Sequence, residues 1–179
     1  MSIKVFLLRH AKSDWADINL ADHERPLNAR GRADTDRIGR YFAAVKFTPD
    51  QVYCSTARRA VQTLGSIQEA GKLEWQVQYE ESLYGASAKM LLNFIHQYGL
   101  ADAGASLLIV GHNPGLEDLL QILSVPGSHT PKGLPHTSMP TGCFVGLEFK
   151  GTDFSKIVAG QGTLTDFMRP KHEFKTRSD

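Results

Sequence analysis

Ile3-Lys4-Val5-Phe6-Leu7-Leu8-Arg9-His10-Ala11-Lys12-Ser13 is the stretch that decides the fold. Residues 3–8 make a short, apolar, β-prone run that ends on a cation and an imidazole. Three similar runs, 51–54, 75–79 and 107–110, follow it, separated by stretches of helical period. Within those stretches Ile38, Tyr41, Phe42 and Val45 recur at helix spacing, as do Ala57, Ala60, Val61 and Leu64. Leu91, Leu92 and Ile95 make a third stripe, and Leu116, Leu119, Leu120 and Leu123 a fourth. Strand alternating with helix predicts an α/β fold, a three-layer sandwich whose mostly parallel central sheet is flanked by helices.

Beyond the fourth helix, residues 124–142 are rich in Gly, Pro, Ser and His and read as a long surface loop. Two strand-like runs follow, 143–149 and 154–159, and residues 168–179 read as a polar tail behind a single domain spanning 1–167. The whole chain has 179 residues, 41% of them hydrophobic, which suits one domain with a real core. Lys plus Arg number 20 against 19 Asp plus Glu, so nothing in the net charge of +1 points to nucleic acid or an anionic membrane. The first apolar run is too short for a signal-peptide core or a membrane span, and a cytoplasmic protein is expected. Cys54 and Cys143 lack the spacing of a zinc or redox motif and read as buried thiols.

Ligands of parallel α/β sheets bind beyond the carboxyl ends of the strands. Here the first strand leads into Arg9-His10, and the run 107–110 leads into Gly111-His112-Asn113-Pro114-Gly115. The run 51–54 leads into Ser55, which looks like an N-cap, and then into Arg58 and Arg59 in the first turn of a helix. Cations near a helix N-terminus oppose the macrodipole, and a bound anion would offset them. Rotation along that helix places Arg59 opposite its apolar stripe, free to turn toward the sheet edge, whereas Arg58 reads as a surface residue. Asn113 before Pro114 reads as another helix start, whose free N–H groups would add to an anion site. Two imidazoles, at least two guanidiniums and a helix N-terminus are thus expected around one pocket, with no acidic cluster suited to a metal. His129 and His136 sit in the Pro- and Gly-rich stretch, where rigid metal ligands are not expected.

Three motifs in order, Leu8 to Ser13, Ser55 through Arg59-Ala60 to Gln62-Thr63, and Val110 to Gly115, resemble those of the histidine phosphatase superfamily. Arg25-Pro26-Leu27-Asn28 with Gly31, and Met139-Pro140-Thr141-Gly142, are similar to its short SixA-type phosphohistidine phosphatases. The resemblance implies a phosphoglycerate mutase-like fold, His10 as nucleophile, and Arg9, Arg59 and His112 as ligands of the phosphoryl oxygens, with Ser13 and Asn113 beside them. It also implies Glu81 as general acid, in Glu81-Ser82-Leu83-Tyr84-Gly85, with Asp22 and Glu24 as second choices. No cofactor and no metal are expected. An unprotonated imidazole can attack phosphorus, and fixed guanidiniums neutralise the transferring group without titrating. The expected substrate is a phosphorylated protein, phosphohistidine above all. A phosphatase for small phosphorylated metabolites is the alternative, and an inactive phosphate-binding domain a further one.

Overall fold

The computed structural model describes residues 1–100, 102, 104–126 and 138–170. The first strand, β1 (Ser2–Arg9), sends alternate side chains to opposite faces of the sheet. Ile3, Val5 and Leu7 enter one core, while Phe6 and Leu8 enter the other. Helices α1 (Ala29–Ala44) and α2 (Arg58–Gly71) cover the Phe6 face through Ile38, Phe42, Leu64 and Ile67. Helices α3 (Ala88–Tyr98) and α4 (Gly115–Leu123) cover the Val5 face through Leu91, Ile95, Leu116 and Leu120. A strand buried on both faces is possible only between two helical layers, which is why the run 3–8 carries so few polar residues.

The remaining strands are β2 (Gln51–Ser55), β3 (Val77–Glu80), β4 (Ser106–Gly111), β5 (Phe144–Lys150) and β6 (Thr163–Met168). They form a six-stranded sheet in the order β3-β2-β4-β1-β5-β6. β1 to β4 run parallel, and β5 runs antiparallel to both of its neighbours, β1 and β6. The carboxyl ends of β2, β4 and β1 therefore lie side by side, and that edge carries Ser55, His112 and His10.

Two expectations for the C-terminal half need correction. Residues 154–159 are not a strand: Phe154–Lys156 is a 3₁₀ turn, capped by the Asp153 carboxylate, which accepts the Ser155 N–H at 2.9 Å. The buried pair Phe154 and Ile157 is spaced by three, which suits a turn and defeats the two-residue period of a strand. The last strand instead runs Thr163–Met168, and Met168, expected to open the polar tail, is buried against the sheet. Residues 171–179 of that tail, and 127–137 of the expected loop, lie outside the described residues. In the described part of that loop Met139 is fully buried and belongs to the core.

Helices α1 and α2 meet at two glycines. A Cβ on Gly39 would overlap the Ile67 carbonyl oxygen and stand 3.0 Å from the Gly71 nitrogen, whereas Gly65 on the exposed face of α2 has nothing within 4 Å. Gly39→Ala should therefore cost about 1–3 kcal/mol by overpacking, and Gly65→Ala should add about 0.5–1 kcal/mol from helix propensity. In thermal unfolding at about 2–4 °C per kcal/mol, the two variants should move Tm in opposite directions.

Candidate active site

His10 follows the last residue of β1 and is almost entirely buried, with its backbone N–H held by the Gly111 carbonyl at 3.1 Å. Its Nδ1 lies 2.8 Å from the Ala11 carbonyl oxygen, a partner that can only accept. The proton is thereby assigned to Nδ1, leaving the lone pair on Nε2. Arg59 Nε–H donates to that Nε2 at 3.3 Å. Burial lowers the His10 pKa to about 4, with Arg59 and Arg9 adding to the shift and the Ala11 carbonyl opposing it. The imidazole is therefore neutral, with its lone pair aimed at a guanidinium.

Arg59 belongs to the first turn of α2, its side chain 9% exposed, and is fixed from the far side by Asp22. Its Nη1 donates to the Asp22 carbonyl oxygen at 2.6 Å and its Nη2 to Asp22 Oδ2 at 3.0 Å. The Tyr84 hydroxyl donates to the same carboxylate oxygen at 2.8 Å. Burial alone would raise the Asp22 carboxyl, but the Tyr84 hydroxyl and Arg59 outweigh it and hold the pKa below the usual carboxylate value. Arg58 is exposed, as expected.

His112 follows β4, and its ring centroid lies 5.0 Å from that of His10. Its Nε2 shares a 2.8 Å hydrogen bond with the Ser55 hydroxyl, while its buried Nδ1 has no partner among the described residues. When Ser55 donates to Nε2, Nδ1 carries the proton and is left to donate into the site. Burial, reinforced by His10 and Arg59, lowers the His112 pKa to about 3. Arg9 donates from Nη1 to the Met139 carbonyl at 2.8 Å, and its buried Nε is likewise unpaired among the described residues. Glu117 Oε2 accepts from the Met139 N–H at 2.7 Å and from Asn113 Nδ2 at 3.0 Å, so α4 anchors the backbone that Arg9 grips.

The structure thus brings His10, Arg9, Arg59 and His112 together, and treats the remaining expected residues differently. Glu81 is exposed: the 3₁₀ turn Glu81–Leu83 buries Leu83, which directs Glu81 outward and offers Tyr84 to the site instead. Asp22, a second choice from sequence, is the carboxylate that arrives, whereas Glu24 pairs with His23 Nδ1 at 2.7 Å. Asn113 is not an N-cap, because its amide is spent on Glu117 and Met139 and α4 begins at Gly115. Ser55 closes β2 without capping α2, and its role is to hold His112. Ser13 is buried, and its hydroxyl accepts the Trp15 indole N–H at 3.2 Å. His129 and His136 lie outside the described residues. Sequence reasoning missed Tyr84, Ser55 as partner of His112, and Glu117; Tyr84 at least stood within the stretch singled out for Glu81.

A neutral imidazole ringed by guanidiniums, at the carboxyl edge of a parallel sheet, is chemically suited to receive an anion. Residues 5–87 match the description of the histidine phosphatase superfamily, branch 1. A chloroplastic protein of Arabidopsis thaliana is 34% identical over 132 residues, 69% of this chain, and the match spans 60% of that relative's own length. An uncharacterised protein of Mycobacterium tuberculosis is 38% identical over 117 residues, 65% of this chain and 70% of its own length. Among solved structures, a protein assigned as phosphohistidine phosphatase SixA in Nakamurella multipartitia superposes with a TM-score of 0.78 at 26% identity, covering 95% of this chain and 97% of that one. The chain belongs to the histidine phosphatase superfamily and has its phosphoglycerate mutase-like fold.

Free imidazole titrates near 6.5, so between that pH and about 4 the unfolded chain takes up protons that His10 and His112 refuse in the folded state. Stability should therefore fall as the pH drops through this window and be independent of these two groups above it. Denaturant titrations at pH 7 and pH 5 should show the loss, and His112→Asn should make it smaller. Ring resonances of both histidines titrating near 6.5 by NMR would contradict the buried, neutral arrangement.

Proposed function

We propose that the protein is a metal-independent phosphatase that works through a phosphohistidine on His10 and acts chiefly on phosphohistidine in other proteins. One observation carries the reading: the lone pair of His10 Nε2 is free of its proton and faces Arg59, which can hold the incoming phosphoryl oxygens. In the first step His10 Nε2 bonds to phosphorus as the bond to the leaving group breaks, and that group takes its proton from a water molecule. In the second, water attacks phosphorus, the P–N bond breaks, and inorganic phosphate leaves with His10 restored. Arg9, Arg59 and the His112 Nδ1–H stabilise the charge on the equatorial oxygens, which for loose phosphoryl transfer supplies most of the catalysis.

Proton supply to the leaving group favours phosphohistidine. Asp22, the carboxylate nearest the reaction, is held ionised by Arg59 and Tyr84 and is a poor acid. A leaving alkoxide needs a proton urgently, while the P–N bond of phosphohistidine is already labile. The SixA likeness supports the same substrate class. Buried, unpaired Cys54 and Cys143 suit a reducing compartment such as the cytoplasm. No helix among the described residues is long and apolar enough to cross a membrane, and none of their His, Cys, Asp and Glu side chains cluster in threes able to hold a metal.

Rapid mixing with labelled substrate and an alkaline quench should leave label on the peptide containing Arg9-His10, and His10→Ala should abolish both label and turnover. Arg59→Ala should lower kcat by about 10²–10³. Thorough chelation should leave the rate unchanged, and vanadate should inhibit. For a phosphohistidine peptide, kcat/KM should exceed that for common sugar phosphates by at least about tenfold, roughly 1.4 kcal/mol of barrier. Label on another residue, or a sugar phosphate as the better substrate, would displace the reading in favour of a different nucleophile or a small-molecule phosphatase.

A further inference from the structure

The chain between His10 and α1 is a pinned ribbon. Ser13 pairs with Leu27 in an antiparallel bridge, the Asp14 N–H donates to the Pro26 carbonyl at 2.8 Å, and the Asn28 N–H donates to the Lys12 carbonyl at 3.0 Å. The Leu27 N–H is held in turn by the Gln62 side chain of α2 at 2.8 Å. Past the tip the chain returns to the site, where Asp22 meets Arg59 and His23 Nε2 shares a 3.1 Å hydrogen bond with the Thr56 hydroxyl. Both ends of residues 14–22 are therefore fixed to the walls of the reaction centre. Ser13 follows His10 by three residues, so their backbones are at most about 11 Å apart.

The tip carries two exposed apolar side chains, Trp15 and Ile18. Trp15 is nonetheless held. Its indole N–H donates to the buried Ser13 hydroxyl at 3.2 Å, and the Arg25 guanidinium, paired with Asp22 at 3.6 Å, lies 4.1 Å from its ring centroid. A large side chain that is exposed yet already ordered loses little freedom when a partner covers it, which is the property of an interface anchor. Negative charge prevails around it: residues 14–25 include Asp14, Asp17, Asp22 and Glu24 against Arg25 and His23. Asp22 is paired with Arg59 and Arg25, and Glu24 with His23. Asp14 and Asp17, on either side of Trp15, accept the backbone N–H groups of Ala16 and Asn19, both at 2.9 Å, and form no ion pair among the described residues. The tip thus presents an ordered indole, an isoleucine and two carboxylates.

We propose that the tip formed by Asp14, Trp15, Asp17 and Ile18 is a docking surface for the protein that presents phosphohistidine to His10, and that it takes a segment of that protein in which lysine or arginine flanks an apolar side chain. The inference rests on the phosphoprotein substrate proposed above and adds what that substrate must carry besides its phosphoryl group. Indole rings and carboxylates both attract cations, and Trp15 already seats the Arg25 guanidinium, while Ile18 offers an apolar side chain a place out of water. The same carboxylates repel nucleic acid and an anionic lipid surface. A partner of standard footprint, about 800 Å² on each side, covers a radius of about 16 Å, so one partner centred on His10 reaches the indole bonded to Ser13.

Two peptides and one small substrate test it. The peptides carry phosphohistidine and, about five residues away on both flanks, either a Lys-Leu-Lys or a Glu-Leu-Glu block; the small substrate is free phosphohistidine. The lysine peptide should exceed the glutamate peptide in kcat/KM by about tenfold or more, chiefly through KM. Trp15→Ala and Ile18→Ser should each lower kcat/KM for the lysine peptide at least about fivefold and leave free phosphohistidine within about twofold. Asp17→Lys should narrow or reverse the preference between the peptides. Binding is read apart from turnover through Trp15 itself. Trp75, the other tryptophan, is buried, so in His10→Ala the emission that acrylamide quenches comes from Trp15, and the lysine peptide should shield it more than the glutamate peptide does. Shielding by the lysine peptide in a protein that turns nothing over would sink the phosphatase reading and leave the docking surface standing. Equal treatment of the two peptides, lysine-peptide kinetics unchanged in both Trp15→Ala and Ile18→Ser, or shielding of Trp15 by phosphatidylserine vesicles in place of the peptide would overturn the proposal.

Discussion

Everything at this site depends on keeping one imidazole neutral in a cationic pocket. Under the proposed mechanism His10 offers a lone pair where the surroundings are positive enough to hold a phosphoryl dianion, and an exposed histidine beside two arginines would still spend part of its time protonated at mildly acidic pH. Burial settles the matter by making the charged ring costly, and the Ala11 carbonyl settles which nitrogen stays bare. The guanidiniums then work in one direction only. They discourage a proton on His10 and His112 and welcome an anion, so the same field that suppresses the wrong protonation state favours the ligand.

Fixed cations in a dry pocket need support from outside it, and the fold supplies two independent struts. Asp22 and Tyr84 come from segments 62 residues apart and meet on the outer face of Arg59. Glu117, on α4, ties Asn113 to the Met139 backbone and so positions the carbonyl that Arg9 grips. Neither carboxylate needs to touch the substrate. Each lowers the cost of an arginine it does not expose to the ligand, and each sits on a segment that packs against the sheet edge, so the guanidiniums are aimed before substrate arrives.

The layers and the four convergent groups were legible in the sequence because both follow from short-range rules. Strands buried on both faces read as unbroken apolar runs, and helices carry their stripe at a fixed spacing, so the alternation was visible without any long-range information. Parallel strands then put residues following β1, β2 and β4 on a common edge, which singled out His10, Arg59 and His112. What escaped was set by tertiary contacts or by turns of only three residues. Phe154 and Ile157 look like half a strand until Asp153 is seen to cap a single turn, and Leu164, Phe167 and Met168 look too irregular for a strand until the bulge near Gly146 and Leu147 accommodates them. Tyr84 and Glu117 carry no local mark at all, because a tyrosine or glutamate acquires its role only from a partner many residues away.

The ionised state of Asp22 bears on what the site can select. With Asp22 locked against Arg59, the proposed catalysis would lean on charge stabilisation of the phosphoryl group, and this would treat all phosphorylated molecules alike, since it reads only the part they share. Discrimination then has to come from contacts outside the reaction centre. The exposed Trp15, 62% accessible and with the Arg25 guanidinium 4.1 Å from its ring centroid, and the exposed Ile18 lie in the chain between His10 and α1. That chain and the segment 138–142 are what the described structure offers near the edge that carries His10. Under the proposed function, a centre that recognises only phosphate leaves the choice of substrate to residues that never touch phosphorus.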